Sequence, residues 1–453
     1  MLDVAQYGLY GCVAAIALVV ILSIGRAKSV GLPIAYMIAL GLIHIPGGVA
    51  YVASEGAYSG VLAGGDYAAI GIALTAVGMW SFAFGLALVR LTTNKNKLLA
   101  RVRENTALPP RFAYFCLAAG WLAAFAATPL TTVPTLGAAI VFGSAIWVLG
   151  VIIGLRRAAD IKDVRSSILW FAAMLVYPVV VLTFGGFLSY GSTVVIVVLS
   201  SLLVRFRRAS TALMILPLAA FLAITLFVNY FEDRSRLREV VWSDAGVTER
   251  ASAVLETFSG FRLFDIDDPA HLNALSERLN QNELVGLSYE RLQDGQVQYL
   301  HGRSFYEGAI SVIPRAIWPD KPVHGGSPVI VSEMTGLQLS TNTSWGVGNV
   351  MEFYINYGFF SLITAFVALG VCLGWLDRMA SNALQGRYYA STILYFLPGV
   401  ALIQPNGSMV ELTGGAFAAL LAAHFWLFVW RNFFESKVTL RPNNSAPANK
   451  YRS

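Results

Sequence analysis

Residues 211–230 read TALMILPLAAFLAITLFVNY, twenty residues without a charge, and the next eight, FEDRSRLR, carry five. About 20 apolar residues span the ~30 Å hydrocarbon core of a bilayer, so the abrupt change at Phe231 marks the edge of a membrane. Working outward, comparable blocks occur at 7–25, 30–52, 67–91, 112–128, 133–154, 167–184, 187–204, 349–376, 388–403 and 410–433. The pair 167–184 and 187–204 shares one apolar stretch divided at Gly185-Gly186. The whole chain of 453 residues is 56% apolar and 13% charged, against about 25% charged in soluble domains. That balance excludes a soluble enzyme, a disordered chain and a disulfide scaffold. The expected fold class is an all-α polytopic membrane protein with about eleven transmembrane helices. Cys12, Cys116 and Cys372 lie far apart inside apolar blocks and read as small bundle side chains.

Lys and Arg set the expected sidedness. Alternate short loops, the ends of their flanking spans and the C-terminal tail hold 22 of the 32 basic residues. The opposite short loops, around 55–66, 129, 185 and 404, hold none. The first seven residues carry no basic charge and Arg26 and Lys28 follow the first block. This is the pattern of a first span with its N-terminus outside rather than of a cleavable signal. The net charge of +6 therefore belongs to topology, not to nucleic acid. The expected organisation is eight spans in 1–230, a large outer segment at 231–348, three spans in 349–435 and a cytoplasmic tail at 436–453.

The outer segment holds the other ten basic residues and sixteen acidic ones. Val240, Val247, Ala251, Val254, Leu255 and Phe258 recur at helical spacing. Asp268-Pro269 is an N-cap with proline in the first turn, opening a helix that carries Leu272, Leu275, Leu279 and Leu287. Ser304 and Glu307 have capping-box spacing, and Pro314 stops the helix they would begin. From 314 to 348 the period disappears. Irregular backbone entering a span is tolerated where it lines a watery cavity, so this stretch is read as the wall of a cleft.

Arg315, Lys321 and His324 lie within ten residues of one another. A guanidinium fork and a compact ammonium suit a diphosphate at the membrane surface. The alternative is ion pairing of Arg315 and Lys321 with Asp320 and Glu307. Glu352, at the mouth of the ninth block with Asn356 one turn on, is a candidate general base. The alternative there is a carboxylate favoured by a helix N-terminus. Trp318, Trp345, Tyr306 and Tyr354 could stack on sugars or belong to an interfacial aromatic belt. His44 and His424 read as bundle histidines, and Glu411 as a weaker candidate facing the same side. No phosphate-binding loop, dinucleotide fingerprint or metal cluster is present, so no cofactor and no metal are expected.

The run IPRAIWPDKP at 313–322, followed by GNVMEFYINYGFFS at 348–361, resembles the bacterial oligosaccharide repeat-unit polymerases, the Wzy-type O-antigen and capsule polymerases. The matching positions are Pro314-Arg315, Trp318-Pro319-Asp320-Lys321-Pro322, Gly325-Gly326, Glu352 and Asn356-Tyr357-Gly358. The resemblance implies a metal-independent, inverting glycosyltransferase of the C-superfamily in the bacterial inner membrane, with its active site facing the periplasm. Donor and acceptor would be undecaprenyl-pyrophosphate-linked glycans in the bilayer, and a chain-length regulator and a flippase would be its protein partners. It implies that Arg315 and Lys321 hold the departing diphosphate, and that Glu352 is the base with His324 as second choice. Arg303 and Asn356 would position donor or acceptor. The rivals are an O-antigen ligase acting on lipid A core and, from a different class, a transporter of lipid-linked glycan. The sequence HIPGG at 44–48, a helix breaker inside a span, is the feature on the transporter's side.

Overall fold

Eighteen α-helices build the chain among the residues described by the computed structural model, which are 1–24, 29–56, 66–92, 110–130, 136–185, 188–243, 245–257, 259, 261–315, 317–323, 326–339, 345–386 and 389–435. They are α1 (Leu2–Ser23), α2 (Leu32–Ala53), α3 (Tyr67–Thr92), α4 (Pro110–Leu130), α5 (Leu136–Ser144), α6 (Ile146–Asp160), α7 (Val164–Gly185), α8 (Leu188–Leu203) and α9 (Ala209–Trp242). There follow α10 (Val247–Thr257), α11 (Pro269–Arg278), α12 (Asn282–Gln293), α13 (Arg303–Ser311), α14 (Ser327–Thr335), α15 (Asn349–Tyr357), α16 (Phe359–Gln385), α17 (Thr392–Ala401) and α18 (Met409–Val429). No strand occurs among the described residues. Among the described residues seven helices are long and apolar enough to cross a membrane: α1, α2, α3, α5 continued by α6, α9, α16, and α18 with its terminal turn. On α9 the side chains of Met214, Leu218, Phe221, Leu222 and Leu226 are exposed, an apolar outer face suited to lipid. This is the architecture of a helical membrane protein.

Several expected boundaries move, each for a local reason. The quoted block does not end at the charged residues, because α9 runs on through FEDRSRLR to Trp242. The first helix expected in the outer segment is thus two pieces, the end of α9 and a separate α10. Asp268 does cap α11, its carboxylate accepting the Ala270 N–H at 2.8 Å, but α11 stops at Arg278 and Leu287 belongs to α12. The stretch expected to be irregular contains α14, opened by Pro328 and closed by Gly336 at φ 73°. That proline-first, glycine-last pattern was the signal for it. The ninth block is cut at Gly358 (φ 63°, ψ −140°) into α15 and α16. The Ser361 hydroxyl bridges the cut, donating to Phe353 O at 2.6 Å and accepting from Tyr357 N at 2.8 Å.

The hydrophilic segment 231–348 is anchored in the helix bundle through HIPGG. Pro46 has no N–H to donate, so it opens the hydrogen-bond ladder of α2. The segment between α11 and α12 fills the opening: Gly47 N donates to Leu279 O at 3.0 Å, and Gln281 N donates to Ile43 O at 2.9 Å. The Asn282 amide donates to His44 O at 2.7 Å, and its Oδ1 lies 2.8 Å from His44 Nδ1. Both side chains are buried. Close approach is required on the α3 side as well, where a Cβ added to Gly71 would lie 2.1 Å from Asn282 O. Asn282→Ala should leave two groups of His44 without this partner, at ~1–3 kcal/mol for each buried group. The expected readout is a lower melting temperature in detergent together with faster proteolysis near 279–283; an unchanged protein on both counts would refute the anchor.

Candidate active site

α13, α15 and the first turn of α18 meet at one point. The loop before α18 and helix α2 hold α15 in place: Asn349 N donates to Pro405 O at 2.8 Å, Asn349 Nδ2 donates to Gly407 O at 3.0 Å, and Tyr36 Oη of α2 donates to Asn349 Oδ1 at 2.8 Å. α13 lies against α18 because Gly308 has no side chain; a Cβ there would stand 2.9 Å from Met409 Cβ. Thr413 Oγ1 donates to Gly308 O at 2.6 Å and lies 2.9 Å from Ser311 Oγ, fastening the two helices. At the centre is Glu352, wholly buried, its Oε2 accepting the Met409 N–H at 2.7 Å. A carboxylate on the first N–H of a helix faces the positive end of its dipole. Asn356, also buried, donates to Glu352 O at 2.7 Å and to Ser304 Oγ at 2.8 Å.

Two acceptors in this centre, Glu352 Oε1 and Asn356 Oδ1, are buried without a hydrogen-bond partner among the described residues. Glu352 lies in α15, outside the apolar span of α16. Burial pushes its carboxyl up to about 8, against the Met409 N–H and the Ser304 hydroxyl, which favour the ionised form. The neighbouring carboxylates of Glu411 and Glu307 push in the same direction as burial. At neutral pH the closed centre therefore holds a protonated Glu352, an acid that becomes a base once its proton is lost.

The basic candidates form a separate turn at the other end of α13. Arg315 is exposed and donates to Pro319 O at 3.1 Å. Lys321 donates to Ser311 O at 2.9 Å and Ile313 O at 2.8 Å, so its ammonium closes the C-terminal carbonyls of α13. Partial burial and the nearby Arg315 both draw Lys321 below the usual lysine range. Trp318 is half-buried in the same turn, its N–H on Pro314 O at 3.1 Å. The contact with Glu307 is made by Arg303, at 3.9 Å from Nε, and Arg303 also pairs with Glu333. His324 lies outside the described residues.

The structure thus gathers Glu352 with Asn356, and Arg315 with Lys321 and Trp318, while Arg303 stands at the start of α13, about 13 Å from its far end at 1.5 Å per residue. Two roles differ from expectation. Ser304 forms no capping box, since Gly302 at φ 86° is the N-cap of α13; its hydroxyl accepts from Asn356 and acts on the Glu352 carboxyl instead. Glu411, read as the weaker candidate, stands within electrostatic reach of Glu352. It closes a capping box with Ser408 and lies 3.4 Å from the Ser327 hydroxyl. The Ser-x-x-Glu spacing at 408–411 was the signal available for it. Among the described residues no group of three His, Cys, Asp or Glu side chains could hold a metal ion.

Gly308→Val should push α13 away from α18 and remove the setting of Glu352. Overpacking of this kind costs about 1–3 kcal/mol. The expected result is a folded protein with a lowered melting temperature and loss of whatever turnover the centre supports; full turnover would show that the junction is not needed.

The site defines a helical membrane protein with a buried carboxyl centre beside an exposed basic turn. Residues 68–429 match the family described as a domain of unknown function, DUF8712, and the chain belongs to it. The match begins at the second residue of α3 and takes in every element of the site. No curated protein and no solved structure matches the chain.

Proposed function

We propose that this protein is a membrane glycosyltransferase that polymerises undecaprenyl-pyrophosphate-linked oligosaccharide repeats into O-antigen, capsule or another surface polysaccharide. In this reading the chain has eleven spans, N-terminus out and C-terminus in, in the bacterial inner membrane. The segment 231–348 and the site then face the periplasm. The observation that carries the reading is the placement of a carboxyl centre and a basic turn along one short helix, α13.

The reaction follows from those two ends. An acceptor sugar hydroxyl attacks the anomeric carbon of the donor from the face opposite its pyrophosphate, and the configuration inverts. The hydroxyl proton passes to the Glu352 carboxylate. The anomeric carbon–oxygen bond breaks, and the electron pair leaves on the lipid diphosphate, whose charge Arg315 and Lys321 stabilise. The donor already carries its leaving group, so neither a nucleotide nor a metal is required. A chain-length regulator would act on the growing product.

The HIPGG break, the feature that favoured a transporter, is occupied by the segment between α11 and α12. Purified protein supplied with two synthetic undecaprenyl-linked repeats and a chelator tests the proposal. Joined repeats of inverted anomeric configuration are the expected product. Absence of joined repeats with correctly inserted protein rejects the polymerase, and glycan delivered only to lipid A core selects the ligase.

A further inference from the structure

Between the segment ahead of α13 and α14 lies a groove of about 390 Å³ lined by Gln298, Tyr299, Leu300, Arg303, Glu333 and Met334, with Val297 at its edge. That volume falls at the lower end of the ~300–1,000 Å³ of small-molecule sites. Its backbone is tied to the carboxyl centre: Leu300 N donates to Ile355 O at 2.9 Å, and His301 N donates to Asn356 O at 3.2 Å. Arg303 immediately precedes Ser304, which accepts from Asn356.

We infer that this groove binds the saccharide of a lipid-linked repeat through its uncharged hydroxyl-bearing rings, and not the diphosphate. The reason is charge. Among the described residues Arg303 is the one cation in the lining, and its guanidinium is held by Glu333 and faces Glu307 at 3.9 Å. A doubly negative diphosphate would have to displace a carboxylate to reach it and would meet Glu333 itself. A sugar hydroxyl can instead donate to Glu333 and accept from Arg303 with the ion pair intact. Gln298 is exposed at the rim and offers an amide that donates and accepts. The half-buried Tyr299 ring, 6.4 Å from that of Tyr354, supplies the aromatic face that the C–H side of a pyranose packs against. Diphosphate and sugar are thereby assigned to opposite ends of α13. The identity of the glycan rests on the polymerase reading; its uncharged chemistry rests on the groove alone.

The test uses full-length protein in nanodiscs, with repeat-unit oligosaccharide released by mild acid from the producing cell's own polysaccharide as the probe. Saturation-transfer NMR should show binding that Gln298→Ala and Glu333→Gln each weaken about tenfold and that inorganic pyrophosphate does not displace. Gln298→Ala removes only an exposed amide, so its effect is independent of folding. Absence of binding by the unmodified protein, undiminished binding by both variants, or displacement by pyrophosphate overturns the inference. Turnover with donor and acceptor varied separately identifies which glycan occupies the groove. A raised KM for either supports the site, and unchanged values for both refute it. Oligosaccharide binding without any turnover rejects the polymerase and leaves the groove standing.

Discussion

With Arg315 replaced by alanine, long glycan should collapse to single-repeat products while the protein remains inserted and folded. The side chain is exposed and its one described hydrogen bond runs to Pro319 O within its own turn, so its removal leaves packing untouched. Its proposed work appears only as charge develops on the departing diphosphate, and loss of one such donor slows a reaction by roughly 10²–10³. The neighbouring lysine gives the control. Lys321 closes the carbonyls of Ser311 and Ile313, so Lys321→Ala should loosen the turn and lower the melting temperature as well as turnover. Gel ladders of surface glycan read the first effect, and thermal scans in detergent separate it from the second. Normal ladders in a stably inserted Arg315→Ala protein would remove this residue from the mechanism.

Glu352 ties rate and stability to one proton, with opposite signs. Its carboxyl titrates near 8 when folded and near 4.5 in its ordinary state, so between those values the folded protein binds more protons than the unfolded one. The stabilising contribution of the bound proton is complete below about pH 4.5 and lost as pH rises through about 8. As a base, however, Glu352 acts only after losing that proton. Turnover limited by it should therefore rise tenfold per pH unit up to about 8 and then level, while the melting temperature falls over the same range. Glu352→Gln, which copies the shape and neutrality of the protonated acid, should fold, flatten both profiles and cost about 10²–10⁴ in rate. A variant with full turnover and the parental pH profile would falsify the assignment of the base and pass it to a neighbour such as Glu411, which is exposed on the same helix end.

The legible parts of the site were those set by neighbours in the chain. Asp268-Pro269 opens a helix because a side-chain oxygen and a missing N–H act within one turn. Pro314 follows the end of α13 for the same local reason. Ser304 misled because capping-box spacing describes only a hydrogen-bonding capacity; Asn356, 52 residues away, claims that hydroxyl in the folded chain. The burial of Glu352 was equally hidden. Its sequence position at the mouth of an apolar block is compatible with solvent, whereas in the folded chain it is wholly buried and meets the Met409 N–H from 57 residues away.

By itself the sequence determined that this is a helical membrane protein with a large hydrophilic segment between two apolar regions, since an apolar run long enough to span lipid satisfies its backbone internally whatever its neighbours do. Only the tertiary structure decided that the block at 349–376 breaks at Gly358, that the hydrophilic segment is plugged into α2 at Pro46, and that Glu352 sits on the first N–H of α18. Those outcomes depend on where glycines and a proline let distant backbones touch. Such contacts carry no period along the chain.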